Sequence, residues 1–65
     1  MTPEQKERVA GAIWRLTTFG DEVRITRTRG GFYTVIVPAP EGGTPVIEID
    51  RDLALALESV ERKLK

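Results

Sequence analysis

Arg24, Arg27 and Arg29 lead through Gly30 and Gly31 into Phe32 and Tyr33, and no other stretch of the chain has residue types so suited to binding chemistry. Guanidinium groups hold phosphate oxygens and aromatic rings stack on bases, so interleaving the two suits a nucleic-acid strand. The same residues have a plainer use, because arginine on an exposed strand discourages edge-to-edge association while Tyr33 fills a core. From Val23 to Val37 the chain carries these bases and no acid, whereas Pro38 to Asp50 carries Glu41, Glu48 and Asp50 and no base. Over the whole chain 10 Lys and Arg balance 10 Asp and Glu, a net charge of zero. No overall field then draws the protein to a polyanion, and a small arginine cluster releases few counterions. A protein partner or self-association is therefore expected ahead of nucleic acid.

Other chemistries find less support. The chain has no His and no Cys, so the usual ligands for zinc are missing, as is the commonest proton-transfer group near neutral pH. No nucleophile, base and orienting group can be matched as a set. Gly30-Gly31 and Gly42-Gly43 have neither the glycine spacing nor the lysine of a phosphate loop. Asp50 and Asp52 suit a helix start better than a magnesium pair. The expectation is a protein that is not an enzyme and uses no metal and no cofactor.

Two further residues invite a binding role. Trp14 lies roughly 140° round its helix from the centre of the apolar stripe, at 100° per residue. It can anchor a partner, as tryptophan often does at interfaces, or fold over the margin of a small core. Ile36 stands among threonines on a strand, where it serves either an interface or β-propensity alone. The candidate binding residues are thus Arg24, Arg27, Arg29, Phe32, Ile36 and Trp14.

These residues must be positioned by a short chain. Its 65 residues form one domain spanning 1–65, and a chain of this size buries only about 60% of its unfolded surface. The first helix is predicted from Pro3 to Thr18. Thr2 and Gln5 form a capping box, Pro3 takes the first helical position, and Val9, Ala12, Ile13 and Leu16 make the buried stripe. Strands are expected at Glu22–Thr28 and Phe32–Val37. A three-residue loop of Arg29, Gly30 and Gly31 unites Val23 and Ile25 with Tyr33, Val35 and Val37, and places a glycine where the backbone turns left-handed. A two-residue Gly-Gly turn would instead swap every side chain to the other face.

Pro38 and Pro40 end that strand, and a third follows at Val46–Ile49 with Ile47 and Ile49 expected in the core and Glu48 outside. Asp50 is expected to cap a second helix whose buried stripe is Leu53, Ala56, Leu57, Val60 and Leu64. The result is an α+β fold, a two-layer α-β-β-β-α domain with a three-stranded antiparallel sheet and both helices on one face. The open face is expected to carry Arg24, Thr26, Thr28, Phe32, Thr34, Ile36, Val46 and Glu48.

This order of elements resembles the double-stranded-RNA-binding domain. The resemblance covers the whole chain in topology, and it implies a grip on phosphates by a basic start to the second helix. Here that helix opens Asp50, Arg51, Asp52, acidic where the family is basic, so no family site is carried over.

No apolar run approaches the ~20 residues of a membrane span, and Glu4, Gln5, Lys6, Glu7 and Arg8 stand where a signal peptide would turn apolar. A cytoplasmic location is the expectation. Asn is absent and Gln and Met occur once each, a profile shared by thermostable proteins and by de novo designed chains. The overall reading is a non-catalytic binding or scaffold domain, with a nucleic-acid-binding module or a viral-type protein inhibitor as alternatives.

Overall fold

The computed structural model describes residues 2–18, 22–38 and 43–64. Its elements are α1 (Pro3–Thr18), β1 (Arg24–Arg27), β2 (Tyr33–Val37), β3 (Val46–Asp50) and α2 (Leu53–Leu64), the α-β-β-β-α order expected. The strands form one antiparallel sheet in the order β1-β2-β3. Residues 41 and 42 of the connection expected at 41–45 lie outside the described residues.

Helix α1 starts on its capping box. The Gln5 N–H donates to Thr2 Oγ1 at 3.2 Å and the Thr2 N–H donates to Gln5 Oε1 at 2.9 Å, satisfying two backbone donors that the first turn leaves free. At its far end Thr17 and Thr18 donate their hydroxyls back to carbonyls of the preceding turn, Thr18 to Trp14 at 2.6 Å. Helix α2 has a different cap from the one expected. Asp52, not Asp50, accepts from the N–H groups of Ala54 at 2.9 Å and Leu55 at 3.3 Å, so it is the N-cap. Asp50 ends β3 and accepts the Asp52 N–H at 2.8 Å.

The β1–β2 hairpin has the three-residue loop. Arg27 lies opposite Tyr33 and Ile25 opposite Val35. The Thr28 N–H donates to Phe32 O at 2.8 Å and the Gly31 N–H to Thr28 O at 3.1 Å. Gly31 has φ of +82°, the left-handed conformation that a side chain would strain. The loop length therefore fixes Ile25, Tyr33, Val35 and Val37 on one face.

The β2 and β3 part of that face meets α2, while Ile25 of β1 stays 40% exposed beyond it. Val35, Val37, Leu57 and Val60 are fully buried and join Ala12, Leu16 and Ala56 in one core, with Val9, Ile13, Val23, Val46 and Leu53 packed around it. Each such large apolar side chain contributes about 1.5–3 kcal/mol. Helix α2 lies on β2 and β3, and α1 packs against α2. Arg8 of α1 pairs with Glu58 at 2.5 Å and Arg15 with Glu61 at 2.7 Å, tying the two helices along their outer seam.

The third strand is turned over relative to the sequence expectation. Val35 faces Glu48 and Val37 faces Val46, which places Val46, Glu48 and Asp50 on the helix side and Ile47 and Ile49 on the open side. Two polar contacts explain the reversal. Asp50 must lie on the helix side to accept the Asp52 N–H that starts α2, and Glu48 forms an ion pair with Lys63 of α2. An alternation of period two then exposes both isoleucines.

Candidate functional site

The open face of the sheet is built from alternate residues of all three strands. Arg24 and Thr26 come from β1, Thr34 and Ile36 from β2, and Ile47 and Ile49 from β3. Arg24 is cross-strand partner to Ile36, which stands opposite Ile47, while Thr26, Thr34 and Ile49 make the neighbouring row. Ile47 is 48% exposed and Ile49 59% exposed. The expectation that these two are core residues is thereby corrected, and Val46 and Glu48 leave the open face. The exposed surface is more apolar than the sequence suggested, because two isoleucines replace a valine and a glutamate.

Its rim is charged and its centre is not. At the β1 margin Arg24 pairs with Glu22 at 3.1 Å, both side chains well exposed. At the hairpin end the Arg51 guanidinium stands 4.9 Å from the Phe32 ring centroid, a cation–π contact. Between them lie only threonine and isoleucine side chains, a surface that water solvates poorly and that carries no desolvation penalty for buried charge.

The candidate arginines do not converge. Arg24 belongs to the open face and Arg27 to the helix side, where its guanidinium lies 5.8 Å from the Tyr33 ring centroid. Arg29 is exposed in the turn between them. Phe32 is half-buried with Arg51 over its ring. A base stacking on Phe32 would have to displace that cation. Trp14 stays 73% exposed on α1, so it does not fold over the core margin. It is on a different element from the sheet face and makes a separate feature.

Sequence reasoning missed Ile47, Ile49 and Arg51. The isoleucines depend on the phase of β3, which goes with the Glu48–Lys63 ion pair across the fold and not with any local pattern.

A second concavity lies on the helix side, a hollow of about 180 Å³ lined by Gln5, Tyr33, Arg51, Asp52 and Leu53. It is smaller than the roughly 300–1,000 Å³ of ordinary ligand pockets, and Gln5 Nε2 donates across it to Asp52 Oδ2 at 3.4 Å. Among the described residues no group of three or more His, Cys, Asp or Glu is placed to hold a metal ion. No described helix is long and apolar enough to cross a membrane.

Fold and surface together define a small α+β domain with one covered and one uncovered sheet face. Compared with known proteins, the chain matches no family model, no curated protein and no solved structure.

Proposed function

We propose that this chain is a non-catalytic protein-binding domain whose contact surface is the open face of its sheet. The observation that carries this reading is the uncharged centre formed by Thr26, Thr34, Ile36, Ile47 and Ile49, with Ile47 and Ile49 about half exposed. An apolar centre inside a polar rim is the common anatomy of a protein interface, and arginine is enriched there while lysine is depleted. The rim cations, Arg24 and Arg51, select the chemistry of the partner: a protein patch apolar in the middle and acidic at its border. The divergence of Arg24, Arg27 and Arg29 counts against a phosphate-tracking groove, which needs cations in line.

The test is a photo-crosslinking amino acid placed at Thr34, with the same group at Trp14 as a control site. The crosslinked peptide is sequenced, and the identified partner is purified and titrated against wild type and Ile36→Lys. Adducts at Thr34 and not at Trp14, with Ile36→Lys weakening the purified pair about tenfold or more, support the reading. Salt-sensitive micromolar oligonucleotide binding, lost when Arg24, Arg27 and Arg29 all become Gln, would replace it with a nucleic-acid function.

A further inference from the structure

The two edges of the sheet are built differently, and the difference can be read from the hydrogen-bond phase. The Thr28 N–H donates to Phe32 O at 2.8 Å, so Thr28 and Phe32 are a bonded pair. Bonded and non-bonded pairs alternate along an antiparallel ladder. Arg24 and Thr26 of β1 therefore direct their backbone groups to Ile36 and Thr34, and the N–H and C=O of Ile25 and Arg27 point outward. On β2, Ile36 and Thr34 are committed to β1, so Tyr33, Val35 and Val37 bond to Asp50, Glu48 and Val46. The outer edge of β3 is left with the N–H and C=O of Ile47 and Ile49.

Natural sheets protect such edges with cations, proline or a covering element. The β1 edge has Arg24 and Arg27, and Arg29 follows it. Strand β3 reads Val-Ile-Glu-Ile-Asp and contains neither a base nor a proline, with Pro45 just before it and Arg51 just after. Its inner charges are both acidic: Glu48 already holds Lys63, and Asp50 accepts the Asp52 N–H.

We propose that two copies of this chain pair β3 to β3 in antiparallel register, Ile47 of each opposite Ile49 of the other, closing a continuous sheet of twice three strands. The register is self-complementary. A two-fold axis at Glu48 brings both outward-facing residues of one copy against both of the other, so each pair exchanges its backbone hydrogen bonds. The isoleucine side chains share the open face and form two adjacent cross-strand pairs at the junction. On the helix side the two Glu48 carboxylates approach, and like charges directly opposite are unfavourable. Each carries its own Lys63, however, with the lysine side chain 57% exposed. Charges of alternating sign then flank the axis. The zero net charge of the chain adds no long-range repulsion between copies, and the arginine-bearing β1 edge stops the sheet from growing further. The pairing uses the backbone edge of β3 and does not depend on the open face being a partner surface.

The experiment is sedimentation equilibrium of the chain from micromolar to millimolar concentration, with residue-resolved amide exchange at both ends of that range. The expected result is a monomer–dimer equilibrium in which the Ile47 and Ile49 amides slow with concentration while those of Ile25 and Arg27 do not. Ile49→Pro removes an outward N–H without touching the ladder to β2, and it should raise the dimer dissociation constant about tenfold or more. Should circular dichroism show that variant unfolded, Ile47→Lys serves instead and should have the same effect. Ile36→Lys, on the central strand, should leave the dimer intact even though it removes the proposed partner surface. A monomer at every concentration overturns the proposal. So does a dimer that protects Ile25 and Arg27, or one lost in Ile36→Lys and kept when the β3 edge is altered.

Discussion

Val35 and Ile47 are both β-branched apolar residues on paired strands of one small sheet, yet one is fully buried beneath α2 and the other is half exposed on the opposite face. Side-chain hydrophobicity does not distinguish them. What does is the point at which the chain leaves the sheet: Asp50 turns toward α2 to accept the Asp52 N–H, and Lys63 reaches back to Glu48. Two polar contacts thus set the phase of a strand whose apolar residues would have filled either face. The lesson concerns competing signals. Where both faces of a strand are apolar or both can be made polar, the pattern is degenerate and the connection decides.

The largest effect should fall on the covered side. Leu57 is fully buried at the centre of the core, so Leu57→Ala should lose about 2–5 kcal/mol, close to the whole stability of a domain this small. Leu55, two residues away on the exposed side of α2, should lose far less on the same change. Chemical denaturation measures both, and equal losses would place the helix in a different phase.

Next comes a direct contrast of the two faces. Val35→Thr buries a hydroxyl among apolar neighbours and should cost about 1–3 kcal/mol. Ile47→Thr and Ile49→Thr, measured where the chain is monomeric, should stay within about 0.5 kcal/mol, as exposed substitutions usually do. A reversed order would mean that β3 is seated with its isoleucines inward.

The hairpin is the part most legible in the sequence. Arg29, Gly30 and Gly31 supplied a loop of the right length and a glycine for the left-handed position, and together they placed Tyr33, Val35 and Val37 on the covered face. Thr2 and Gln5 marked the start of α1 in the same local way. Such signals act between residues a few positions apart. The phase of β3 rests instead on Lys63 meeting Glu48 across the fold, a contact no local pattern contains. Asp50 and Asp52 were both recognisable as capping residues, but which of them held the first turn depended on where β3 ended. Trp14 was placed off the apolar stripe by its spacing, and it lies exposed there because no described element reaches over α1 to cover it.

Gly31→Ala sharpens the hairpin half of the comparison. Nothing stands within 4 Å of an added Cβ at this position, so any loss comes from backbone strain at φ of +82°, about 1–2 kcal/mol. An unchanged melting temperature would mean that position 31 does not hold the left-handed conformation.

The smallest effect is electrostatic. The hydrogen bond and charge of Arg8 hold the Glu58 carboxyl below its ordinary value of 4.5. A carboxyl with a lowered folded value adds stability above its unfolded value and loses it as pH falls through the folded one. Glu58→Gln should therefore melt slightly below wild type near neutral pH, and the gap should close in acid. Because the pair is exposed, high salt should narrow it as well.

The sheet presents Ile36, Ile47 and Ile49 to solvent on one face and keeps Val35 and Val37 beneath the helices. Methyl-resolved NMR with a soluble paramagnetic agent tests this in one spectrum, in dilute solution where the chain is monomeric. The Ile47 and Ile49 methyls should broaden strongly, Ile36 to an intermediate degree, and Val35, Val37, Leu57 and Val60 should be protected. Protection of Ile47 and Ile49 in that dilute sample would contradict this arrangement, because the isoleucines would then belong to the core and the open face would lose its apolar centre.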